Sequence, residues 1–125
     1  MKSKRNILVY ISGVYFSWGQ NRIPEAIAQA RAAAIQIWDA GFTAICPHLN
    51  TSHFERDCKC EQEDYLEGDL EILKHCDIIF FLPNYYESEG ALAEYKLALS
   101  DSIPMAASME TLEHTAAILI SAKPS

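Results

Sequence analysis

This chain is short of positive charge. Ten Lys and Arg residues face seventeen Asp and Glu, a formal net charge of −7. A nucleic-acid backbone and an anionic membrane both reward clustered cations, so neither is an expected partner, whereas small ligands remain open. No apolar run approaches the roughly 20 residues of a membrane span, and no signal-peptide pattern is present. The expectation is a cytoplasmic protein with no membrane partner. The basic residues near the start, Lys2, Lys4 and Arg5, precede a strand without any amphipathic continuation and read as a solubilising tail. Internal repeats, low-complexity segments and domain boundaries are also lacking. With 125 residues, half of them apolar, the chain is long enough for one domain with a real core and too short for two, so residues 1–125 read as a single domain.

The four cysteines lack the pattern of a structural zinc site. Cys58 and Cys60 form C-x-C in a charged loop with His53 nearby, but there is no C-x-x-C and no second matched pair. Cys46 and Cys76 lie at the edges of apolar segments and read as small hydrophobes. Reduced thiols are expected, and no metal.

What is present alternates. The run ILVYI from Ile7 to Ile11 reads as a buried strand ending at Ser12-Gly13. Pro24 opens a long helix, with Ala26, Ile27, Ala30, Ala34, Ile37 and Trp38 at helical spacing, and Gly41 closes it. Phe42 to Cys46 is a second strand stopped by Pro47, and residues from about His48 to Gln62 read as a polar loop long enough to be functional. A helix ending near His75 follows, then the strongest strand signal, Asp77 to Leu82. Ser88 caps a helix running to about Ser100, Ile103 to Ala107 is a weaker strand, and Glu110 to Ile120 a last helix. Strands alternating with helices predict an α/β fold: a three-layer, flavodoxin/Rossmann-like parallel sheet of four to five strands with helices on both faces. Ligands in such sheets bind beyond the carboxyl ends of the strands. That rule selects Tyr10 to Tyr15, Pro47-His48, Leu82 to Gly90 and Ala107-Ser108.

Two acidic residues stand where apolar ones are expected. Asp69 falls within the apolar stripe of its helix, between Tyr65 and Leu66 one turn before and Ile72 and Leu73 one turn after, while Asp64, Glu67, Glu71 and Lys74 supply the polar face. Glu94 sits at the edge of the face formed by Ala91, Leu92, Tyr95, Ala98 and Leu99. Residues three and four apart share a helix face, so both carboxylates should point toward the sheet or a cleft beside it. An inward carboxylate needs a partner or a site. For Asp69 a structural partner would be Tyr10, a backbone amide or Lys74; for Glu94 the bland reading is a solvated residue at the margin of the core. Two carboxylates near one cleft suit cleavage of a glycosidic bond, one attacking the sugar and the other protonating the departing group.

The start of the Ser88 helix adds a second element. Helical side chains lean toward the N-terminus, which aims Glu94 at the open end of its own helix over the small Gly90 and Ala91. There the Ser88 hydroxyl and the amides of Glu89, Gly90 and Ala91 offer donors that suit a phosphate. Taken alone, the S-x-G pattern is explained better by plain capping by Ser88 than by phosphate binding. Tyr15, His48 and Asn84 are rim residues that would stack on or hydrogen-bond a base or sugar, or else are packed or turn residues.

The segment VYISG at Val9 to Gly13, the block GDLEILKHCDIIFFLP from Gly68 to Pro83, and SEGALAE from Ser88 to Glu94 together resemble the nucleoside 2-deoxyribosyltransferase superfamily, closest in pattern to its 2′-deoxynucleoside 5′-monophosphate N-hydrolases. The resemblance implies that Glu94 is the nucleophile forming a glycosyl-enzyme ester, that Asp69 binds the base and assists its departure by donating a proton, and that Tyr10 orients the nucleophile. It implies that Ser88 contacts a 5′-phosphate, where the transferases carry an acidic residue. Gly13 and Gly90 belong to the matched substrate-binding segments. The chain departs from the hydrolases after the first strand, where VYFSWGQNR replaces a glycine- and arginine-rich turn, leaving Arg22 as the candidate for the missing charge. By resemblance the activity is N-glycosidic cleavage of a (deoxy)nucleoside 5′-monophosphate, or base exchange by a transferase, in a homodimer or larger assembly and without a cofactor. A non-catalytic nucleotide-binding or sensing domain is the alternative of another class.

Overall fold

In the computed structural model, residues 3–52 and 54–122 are described. Lys2 and His53 lie outside them. Four parallel strands form one sheet in the order β2-β1-β3-β4, with β1 at Leu8–Ser12, β2 at Thr43–Ile45, β3 at Ile78–Phe81 and β4 at Met105–Ala106. Parallel neighbours need crossovers, and helices supply them: α1 (Ile23–Asp39), α2 (Pro47–Asn50), α3 (Gln62–Leu73), α4 (Glu89–Ser100) and α5 (Met109–Ser121). Helices cover both faces, giving the three-layer α/β architecture that the alternation predicts. Strand order reverses direction between β1 and β3, whose carboxyl ends pair as Ser12 with Phe81.

Side-chain alternation along β1 divides the core. Val9 and Ile11 pack with Ala30, Ala34 and Ile37 of α1 and Leu112 and Ala116 of α5. Tyr10 turns to the other face, joining Leu73, Ile79, Phe81 and Ala98 under α3 and α4. The period of two puts Ser12 on the Tyr10 side. α1 stops at Gly41, whose φ of +102° lies in the left-handed region that glycine enters without a Cβ clash.

Three local expectations are corrected. The segment after Cys46 is not loop throughout, since Pro47 starts the short α2 and a 3-10 turn covers Phe54–Arg56. Lys4 and Arg5 are not a loose tail: Lys4 Nζ pairs with Glu113 at 2.8 Å and lies over the Phe42 ring, and Arg5 donates to the Phe42 carbonyl. Glu94 is no margin residue either. It is 6% exposed, on the buried stripe of α4 with Ala91 and Ala98, whose small side chains let the helix lie close to the sheet.

Candidate active-site cleft

A cleft of about 240 Å³ opens off the carboxyl ends of β1 and β3, at the position where strand order reverses. Its volume falls just below the ~300–1,000 Å³ of typical small-molecule sites. Glu94 and Asp69 both line it, together with Gly13, Tyr15, His48, Ser88 and Gly90. Asn84 does not. It adopts a left-handed conformation (φ 66°) after Pro83, and its Oδ1 accepts a hydrogen bond from the Tyr86 hydroxyl, so it serves the turn. Tyr10 is fully buried beneath the cleft rather than on its wall.

Glu94 is held from the sheet. The Tyr10 hydroxyl donates to its Oε2 and the Ser12 hydroxyl to its Oε1. Ser12 is a partner missed in the sequence, although residues i and i+2 of a strand share a face and its relation to Tyr10 was legible there. Burial pushes the Glu94 carboxyl up to about 7; the Ser12 and Tyr10 hydroxyls pull it down, and the charge of Asp69 pushes it further up. Burial and the nearby carboxylates push the Tyr10 phenol far above its usual range, so it stays a donor.

Asp69, half-buried on α3, is lifted to about 6 by loss of solvent alone. Lys74 is not its partner, since that ammonium turns to Glu71 at 3.5 Å. A carboxyl with a raised pKa and no hydrogen bond to a described residue suits a group that exchanges a proton with a ligand.

The rim is built from α2 and the turn after β1. His48 is buried, and its Nε2 lies 2.6 Å from the Val14 carbonyl oxygen. A carbonyl only accepts, so Nε2 carries the proton, and burial, which lowers the ring's pKa, keeps it neutral. Nδ1 is then a bare acceptor with no described partner. The Tyr15 ring meets His48 edge-on at 5.3 Å and its hydroxyl donates to Glu55 Oε1. Gly13 has a packing reason for its identity: a Cβ there would come within 2.9 Å of Leu82 Cβ and 2.6 Å of its Cδ1. Gly90 is open, with the nearest atoms at 3.7 Å and beyond.

Ser88 caps α4, its Oγ accepting from the Ala91 amide at 3.0 Å. Arg22 does not supply a charge to the cleft. Its guanidinium grips Glu25 with two hydrogen bonds and lies 4.3 Å from the Trp18 ring centroid, outside the lining. Cys46 and Cys76 are pushed up to about 11 by burial, thiols that stay protonated at neutral pH. All four cysteines are free, and among the described residues no group of His, Cys, Asp and Glu is arranged to hold a metal. No helix among them is long and apolar enough to cross a membrane.

Fold and site thus define a three-layer α/β domain with a two-carboxylate cleft at its topological switch point. Residues 7–107 match the family model described as a domain of unknown function, DUF4406, and the chain belongs to that family. No curated protein matches the chain.

Proposed function

We propose that the protein is an N-glycosidase cleaving the base–sugar bond of a nucleoside or its 5′-monophosphate through a covalent Glu94 intermediate. The observation that carries this reading is the pairing of a buried, doubly hydrogen-bonded glutamate with a second carboxyl of raised pKa in one small cleft. The resemblance to the nucleoside 2-deoxyribosyltransferase superfamily assigns the same two residues to nucleophile and acid.

The chemistry needs no other group. An ionised carboxylate oxygen has lone pairs beyond the one each hydroxyl engages, so Glu94 retains one for attack on the anomeric carbon. The C–N bond breaks, its electrons go to the base nitrogen, and Asp69 gives up its proton to the base. Water then attacks the glycosyl ester, losing a proton to the Asp69 carboxylate and releasing Glu94. Tyr10 and Ser12 keep the nucleophile in place and oppose the effect of burial on its charge.

The working form has Glu94 ionised and Asp69 protonated. With Glu94 near 7 and Asp69 near 6, that form is the minority one and peaks between those values. A bell-shaped rate profile follows for bases that need the proton.

The test is incubation with a panel of nucleosides and monophosphates, with and without an added free base, and chromatography of the released base. Release without an acceptor supports the glycosidase. Exchange only with an acceptor makes the protein a transferase, and binding without release makes it a sensor.

A further inference from the structure

The cleft is lined by Glu55, Glu63, Asp69, Glu89 and Glu94, and by no described lysine or arginine. Arg22, the cation that the resemblance offered for the cleft, is committed to Glu25 and Trp18. At the helix start that would greet a phosphate, Glu89 already occupies the first turn of α4 with its negative charge. A phosphate dianion placed there would add to the negative charge with no described cation to meet it.

The neutral groups of the cleft point to the complementary ligand. His48, 7% exposed, has an Nδ1 that only accepts, is closed off from solvent and has no partner among the described residues. Tyr15, Phe16 and Tyr65 contribute aromatic rings to the same lining, surfaces whose electron-rich faces attract cations. Carboxylates and aromatic rings together suit a ligand that brings positive charge.

We infer that the substrates of this cleft are N-glycosides without phosphate whose base is a cation, a pyridinium or an N-alkylated purine. The inference rests on the N-glycosidase reading and deepens it. Asp69 then works as a carboxylate that attracts the base, consistent with a group near 6 that is mostly ionised at neutral pH. A cationic base needs no proton to leave. Glu94 oxygen bonds to the anomeric carbon, the C–N electrons return to the ring nitrogen, and the base departs neutral.

Two measurements on the wild-type protein test this. In the first, equilibrium binding of N1-methylnicotinamide is compared with that of nicotinamide, which differs by one methyl group and the charge. The cation is expected to bind at least tenfold tighter, with the advantage shrinking as ionic strength rises. Equal binding, preference for the neutral ring, or no binding of the cation overturns the inference.

In the second, cleavage of nicotinamide riboside and 7-methylguanosine is compared with that of inosine and inosine 5′-monophosphate, each rate divided by its uncatalysed rate. The cationic nucleosides are expected to lead, and for nicotinamide riboside, whose positive charge does not titrate, the rate rises through the Glu94 titration and does not fall as Asp69 ionises. Which of the two leads identifies the ring class. Faster cleavage of inosine or its monophosphate overturns the inference and leaves the N-glycosidase reading standing. Cleavage of none, with the binding preference intact, sinks the glycosidase reading and upholds the cation preference.

Discussion

Replacing Glu94 with glutamine should make the protein more stable at alkaline pH. Burial lifts the carboxyl from an ordinary 4.5 to about 7, so the folded state holds a proton that the unfolded chain has already released. The stability this group contributes is therefore fully present below about pH 4.5 and lost as pH rises through 7. A difference of this size corresponds to about 3 kcal/mol between pH 5 and pH 8. Asp69 loses stability in the same direction over a lower range and, being more exposed, by less. Glutamine keeps the shape and one acceptor for the Tyr10 and Ser12 hydroxyls but carries no charge to desolvate, although its amide must be accepted by one of those hydroxyls. We expect E94Q to match the wild type at pH 5 and to exceed it by about 2 kcal/mol at pH 8, roughly 6–10 °C in Tm. Urea and thermal unfolding of both proteins across this range provide the measurement. A glutamine variant less stable than wild type at pH 8, or one that keeps the full pH slope, would refute the claim that a strained buried carboxylate resides at this position. Alanine is a different perturbation, because it leaves two buried hydroxyls with no acceptor at about 1–3 kcal/mol each.

Three further outcomes follow from the geometry. Tyr10→Phe removes a hydrogen bond that favours the Glu94 anion, so the acidic limb of the rate profile should move up by about 1–2 pH units, read from kcat/KM against pH; an unmoved limb denies Tyr10 its positioning role. Gly13→Ala should destabilise by about 1–3 kcal/mol in denaturant unfolding, because the new Cβ meets Leu82 at 2.6–2.9 Å, and a neutral effect would mean that β1 and Leu82 separate freely. Asp69→Asn should slow neutral bases by about 10²–10⁴ while sparing a cationic base from the loss of proton donation, whereas equal slowing for both argues against Asp69 as an acid.

Much of the architecture was legible in the sequence, because ILVYI and DIIFFL are short, dense apolar runs separated by helical periodicity, and a parallel sheet leaves few alternatives. Residues 47–62 were not, since α2 is a single turn set by Pro47, too short for any period to register. Asp69 and Glu94 stood out because charge interrupted an apolar stripe. The depth of Glu94 was hidden: its burial depends on Ala91 and Ala98 bringing α4 against β1, a tertiary fact that spacing on one helix does not contain. Ser12 went unread for the converse reason, since a small polar residue at a strand end resembles a turn. Asn84 shows the opposite failure, in which a strand-end polar residue answers the backbone, with φ at 66°, rather than the cleft.

The proposed reaction requires a covalent bond between Glu94 and the sugar. Incubation with a 2′-fluorinated nucleoside, which slows hydrolysis of a glycosyl ester more than its formation, followed by acid quench and peptide mass spectrometry, looks for that bond directly. One fluorosugar mass is expected on the peptide containing Glu94, and none in E94Q. Steady release of base with every peptide unmodified, or with the sugar on another residue, would contradict it.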